Sequence, residues 1–154
     1  KVNTPYFFNN KKKLLCINSA MNLIKLLTVE SQENIEIFNS IDNFFIDLNH
    51  IEWIKKYIFW ELKLLELVGY NIDFNKFIDH ELINNEKKYF IKSKNERIYV
   101  PNFLIETENK NIDKFNYLKG LNLIGDYMIK NILKPNNINY PNSRLEFTNL
   151  FKLN

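Results

Sequence analysis

The strongest constraint in this sequence is the run from Ile51 to Val68, where Ile51, Ile54, Ile58, Leu62, Leu65 and Val68 recur at helical spacing. Tyr57, Trp60 and Leu64 widen the stripe, so a broad face of a helix of about five turns is predicted to be buried. Gly69 follows the last periodic residue and suits the left-handed conformation that stops a helix, with Tyr70 and Ile72 closing the hydrophobic contact. Other helices are needed to cover such an element.

The flanking sequence supplies them. Residues 1–13 read as a linker or lead-in, with Tyr6-Phe7-Phe8 docking elsewhere and Lys11-Lys12-Lys13 a solvated helix start. Leu14 to Leu27 predicts a first helix with Leu14, Ile17, Met21, Ile24 and Leu27 inward, and Cys16 a buried thiol. Ser31 is the expected cap of a second helix that turns Ile35, Phe38, Ile41, Phe45 and Leu48 inward and ends at Asn49-His50. Beyond Gly69, Asp73 caps a turn through Phe77. Lys88–Ile91 and Arg97–Val100 then suit a small hairpin that Pro101 ends. Glu106 to Asn111 reads as a charged loop. Asp113 caps a helical region through Lys134, in which Gly120 and Gly125 leave room for a close neighbour. After Pro135, Asn142 or Ser143 opens a last helix through Phe151. The fold class is mainly α: a helical bundle-like domain over residues 14–154 with a small β-hairpin insertion.

Composition narrows the function. At 154 residues the chain has the size of one domain, and 45% hydrophobic with 15% aromatic residues suffices for a packed core. A net charge of +3 permits nucleic-acid or acidic-peptide partners without demanding them. Of 21 basic residues only Arg97 and Arg144 are arginine, so those two are the informative cations. A single cysteine excludes an intrachain disulfide and a multi-cysteine zinc site, which suits a reducing, cytoplasmic compartment. Charged and amide residues interrupt every apolar stretch well before about 18 residues, so no transmembrane helix and no membrane partner are expected. The chain starts at Lys1 rather than Met, and the expectation is a fragment lacking a preceding domain.

No catalytic constellation, metal site or cofactor motif emerges. His50 and His80 fall in different loops, without the spacing of a metal-binding helix pair. Glu61 lies between Trp60 and Leu62 on the most apolar helix, where an ionised carboxylate needs a partner. Arg144, opening the last helix, is the candidate, and Glu61, Gly69 and Arg144 are read as structural anchors.

Four motifs in order carry a resemblance. Trp60-Glu61-Leu62, Leu64-Leu65, Gly69-Tyr70 and Asp73 follow an aromatic-Glu-Leu pattern with a Gly-aromatic stop. Tyr89 to Ser93 forms a hairpin motif, Gly120-Leu121, Leu123 and Gly125 a glycine-marked helix, and Pro141, Ser143 and Arg144 a closing Pro-x-x-Arg type motif. Together they resemble the helical C-terminal region of the bacterial RecO family, from about Leu14 to Phe151. The resemblance implies a recombination mediator that makes and breaks no bond. With the partner RecR, it would anneal complementary strands and help load recombinase onto DNA coated by single-stranded-DNA-binding protein. It would work in the cytoplasm at the nucleoid. It also implies that single- and double-stranded DNA is bound mainly by an amino-terminal OB-fold not present in this sequence. The helical region would dock the acidic, Phe-ending tail of the coating protein. Phe77 and His80 stand where some members place zinc-binding cysteines, so the chain resembles the metal-free branch, with Tyr89, Ile91 and Tyr99 as the hairpin's core. Lys55, Lys56, Lys119 and Arg144 flank predicted apolar faces and are the candidates for DNA or acidic-tail binding. Two alternatives stay open: a small enzyme using Glu61, His50 or His80 as acid or base, and a helical scaffold that binds only protein.

Overall fold

A computed structural model describes residues 10–28, 34–107 and 111–152. The expected docking of Tyr6-Phe7-Phe8, the Ser31 cap and part of the Glu106 to Asn111 loop lie outside the described residues.

Among the described residues six α-helices surround one core, with a three-stranded sheet inserted after the fourth. Helix α1 (Lys11–Leu27) begins three residues before the expected start, where the Asn10 side chain accepts from the Lys13 amide. Helix α2 (Ile35–Asp47) is capped in the same way by Asn34, which accepts from Glu36. Helix α3 (Trp53–Leu67) stops at Gly69, whose φ of +92° turns the chain. Tyr70 N–H donates to Leu65 at 2.8 Å and Gly69 N–H to Glu66 at 3.1 Å. This is the six-to-one and five-to-two bonding of a Schellman stop.

Two predicted stripes are out of phase. In α1 the buried residues are Cys16, Ile17, Ser19, Ala20 and Leu23, while Leu14, Met21, Ile24 and Leu27 are only half-buried. In α2 the buried residues are Ser40 and Phe44, followed by Leu48, and Ile35 and Phe38 face outward. Helices apolar on more than one side leave periodicity without a unique phase. Ile51 is likewise 94% exposed, because it lies in the turn before α3 rather than within the helix. The buried face of α3 comprises Tyr57, Ile58, Trp60, Glu61, Leu64 and Leu65. Around it Phe44, Tyr57, Trp60 and Phe147 form an aromatic cluster, with Tyr57 and Trp60 stacked at 5.7 Å.

Asp73 caps the one-turn helix α4 (Phe74–Phe77) by accepting from Lys76. The expected hairpin is a sheet of three antiparallel strands, β1 (Ile78–Ile83), β2 (Glu86–Ser93) and β3 (Glu96–Val100). His80 thus sits on an edge strand and not in a loop. Asn84 and Asn85, both at positive φ, make the two-residue turn that the twist of paired strands favours. Register places Ile78, Tyr89, Ile91 and Val100 on one face, packed on the helical core. Tyr99, expected beside them, points to the other face, where Phe90 is buried.

Asp113 caps α5 (Lys114–Met128), and the predicted helical run to Lys134 finishes as a π-helical turn over Ile129–Leu133. Helix α6 (Asn142–Asn149) ends short of Phe151, which is nonetheless buried, and it packs along α1.

Candidate functional site

Glu61 and Arg144 meet in the core between α3 and α6, each 1% exposed. Arg144 donates from Nη2 to Glu61 Oε1 at 2.7 Å and from Nε to Oε2 at 2.9 Å, a two-point fork. Nη2 also donates to the Leu121 carbonyl at 2.9 Å, and Nη1 donates to the Tyr140 hydroxyl. Tyr57 O–H donates to Glu61 Oε2 at 2.7 Å, and the Ser19 hydroxyl lies 2.8 Å from Tyr57. The network therefore ties α1, α3, α5 and α6. Among the described residues no buried side-chain polar atom lacks a partner. Burial opposes the charge on Arg144, but the Glu61 carboxylate outweighs it and raises the guanidinium above its ordinary range. Burial, and then the Glu61 charge, push the Tyr57 hydroxyl and the Cys16 thiol well up, which keeps both protonated.

Glycine makes the site possible. A Cβ at Gly125 would lie 2.8 Å from Arg144 Nη1 and 3.2 Å from the Tyr140 hydroxyl. At Gly120 it would lie 2.9 Å from Phe103 Cζ, so that glycine seats the Phe103 ring.

Arg144 is consequently not a docking cation. It is buried, and its charge is matched by Glu61. The candidate lysines are at the surface but do not form one cluster of equals. Lys56 is 3.8 Å from Asp47, whereas Lys119 lies 4.5 Å over the Phe115 ring. Lys55 stands one helical turn before the exposed Phe59, whose ring meets Phe103 edge-on at 6.4 Å. Phe103 in turn rests on Gly120, the neighbour of Lys119. Lys119 also lines an open groove of about 1000 Å³ between the sheet and α5, with Lys87, Lys88, Tyr89 and Phe103. Phe59 and Phe103 were not singled out from sequence; a signal was present in the i, i+4 spacing of Lys55, Phe59 and Lys63.

The three side chains of the enzyme alternative stay apart. Glu61 is enclosed in mid-α3, His50 is in the α2–α3 turn with Nδ1 accepting from the Glu52 amide, and His80 is exposed on β1. Among the described residues no group of His, Cys, Asp and Glu could hold a metal ion. No described helix is long and apolar enough to cross a membrane.

Comparison with known proteins bears on the Glu61 side of this arrangement, since the family match ends at residue 121. The chain is 34% identical over 96 residues to the DNA repair protein RecO of Rickettsia canadensis (strain McKiel), covering 61% of this chain and 38% of that protein. It is 38% identical over 73 residues to the DNA repair protein RecO of Rickettsia rickettsii (strain Iowa), covering 47% and 31%. The matched stretches thus span well under half of these relatives. No solved structure matches the chain. The family described as "Recombination protein O C terminal" matches residues 10–121, from the cap of α1 through Glu61 and the Gly69 stop into α5, and the chain belongs to that family.

Proposed function

We propose that this chain is the helical scaffold and docking region of a recombinational DNA-repair mediator, acting at the nucleoid in the cytoplasm by binding and not by catalysis. Membership of the family and the DNA-repair names of its relatives support the repair role. The engagement of both Glu61 oxygens by Arg144 and Tyr57 supports a structural carboxylate over an acid or base. In the full mediator this region works with RecR to anneal strands and load recombinase onto DNA coated by single-stranded-DNA-binding protein. DNA itself is held mainly by an OB-fold.

The observation that carries the docking reading is the Phe59 and Phe103 ring pair beside Lys55 and Lys119. An acidic peptide ending in Phe needs an aromatic seat for its last ring and fixed positive charge for its carboxylates, and these residues offer both. Fluorescence anisotropy with such a peptide is expected to give saturable binding that Lys55→Glu together with Lys119→Glu abolishes. If the folded chain, verified by circular dichroism, gives no saturable binding, the docking reading fails.

A further inference from the structure

Charge is distributed very unevenly along this basic chain. All 21 Lys and Arg residues lie outside residues 26–54, whereas Glu30, Glu33, Glu36, Asp42, Asp47 and Glu52 lie within them. The centre of that stretch is α2. Its inner side, at Ser40, Phe44 and Leu48, packs on α3. Its outer side is not the polar face that a surface helix ordinarily turns to water. Ile35, Phe38 and Ile46 are 74%, 64% and 65% exposed, and with Asp42 they fall at spacings of three and four, one stripe roughly 16 Å long. Glu36 flanks it. Among the described residues neither Glu36 nor Asp42 is in an ion pair.

We infer that the outer stripe of α2 is a docking surface for a basic amphipathic helix of a partner protein. Its apolar residues would lie on Ile35, Phe38 and Ile46, and its Lys or Arg residues would meet Glu36 and Asp42. The chemistry selects this occupant. Nucleic acid and acidic peptides are repelled by a helix with carboxylates and no cation. Two copies of this chain set face to face through the stripe bring carboxylate against carboxylate. A helix with apolar residues at i, i+3 or i+4 and i+7, flanked by cations, matches both the pattern and the sign. This surface differs from the lysine-flanked pair of Phe59 and Phe103, and its chemistry is the opposite, so the two inferences stand or fall separately.

The test uses a fluorescein-labelled helical peptide of about four turns with Leu on one face and Lys elsewhere, titrated with the 154-residue chain. Saturable binding is expected, with hydrogen-exchange protection confined to α2. Phe38→Ser with Ile46→Ser, and separately Asp42→Lys, are expected to weaken binding by about tenfold or more. These exposed positions leave the melting temperature unchanged, so loss of fold does not confuse the result. Equal binding of a peptide with Glu in place of every Lys overturns the inference, as does binding indifferent to the substitutions. Sedimentation velocity supplies a third outcome: a dimer that Phe38→Ser with Ile46→Ser dissolves assigns the stripe to a second copy and also overturns it.

Discussion

Each of the chain's two arginines is paired with a glutamate that also accepts from a tyrosine, but the surroundings differ. Arg144, Glu61 and Tyr57 lie in the core, with the ion pair 1% exposed on both sides. Arg97, Glu81 and Tyr99 lie on the open face of the sheet, where Arg97 reaches Glu81 at 2.5 Å and Tyr99 donates to it at 2.7 Å. The residue types are the same, but the buried triad has a two-point fork and further partners at Leu121 and Tyr140, whereas the outer one has a single Arg97–Glu81 bond in solvent. In the core, removing either charge strands the other in a medium that cannot solvate it. On the sheet, water and salt take over whatever the partner gave up. The outer triad acts mainly by cover: Arg97 lies 4.4 Å over the Phe90 ring, and with Tyr99 it closes that buried aromatic beneath polar groups.

The largest break in this comparison is expected from Arg144→Met. It leaves Glu61 uncompensated and should cost about 3–5 kcal/mol in urea denaturation. Adding Glu61→Leu should recover much of that loss, because an apolar pair of similar size is tolerated where a lone charge is not. A loss no greater than that of Lys63→Ala ends the account of Glu61 and Arg144 as an anchor.

The tyrosines sharpen it next. Tyr57→Phe removes a hydrogen bond to a buried charged group and should cost about 2 kcal/mol at neutral pH, whereas Tyr99→Phe should barely move the midpoint. Because Tyr57 has its folded-state pKa raised above the ordinary value of 10, its contribution is full below pH 10 and is lost as pH rises through the folded value. The gap between wild type and Tyr57→Phe should therefore narrow only in strong alkali. A gap that closes near neutral pH would contradict the burial of this hydroxyl.

The smallest effect is acidic. The Tyr99 hydroxyl, and after it Arg97, hold the Glu81 carboxyl below its ordinary value of 4.5. A depressed carboxylate stabilises above the unfolded value and loses that effect as pH falls through the folded one. Glu81→Gln should thus match wild type in strong acid and differ slightly above pH 4.5, less so in high salt. A salt-insensitive difference would mean that Glu81 acts by packing rather than by charge.

The same contrast explains what was legible beforehand. The pairing of Glu61 with Arg144 could be reasoned from sequence because a carboxylate amid an apolar stripe needs a cation, and only two arginines were available. The stop at Gly69 and the caps at Asp73 and Asp113 are local chemistry and read directly. The phases of α1 and α2 did not, because Ile, Leu and Phe surround those helices and only tertiary contact selects a side. Strand β1 was hidden for a related reason. Asp79, His80 and Glu81 look like loop residues until strands β2 and β3 bring Lys92 to Asp79 and Arg97 to Glu81. Which lysines border an aromatic seat was beyond periodicity, because Phe103 reaches Phe59 from a distant connection.

The reach of the buried fork also sets an order of events during synthesis. Eighty-three residues separate Glu61 from Arg144, and Asn22 on α1 bonds Ser143 across 121 residues. At about 5–20 residues per second, a ribosome needs roughly 4 to 17 s after making the carboxylate to deliver its guanidinium. Throughout that interval Glu61 lacks the cation that it meets in the finished core. The carboxylate that ties the finished domain is thus one whose enclosure before the closing helix emerges carries the cost of an unpaired buried charge.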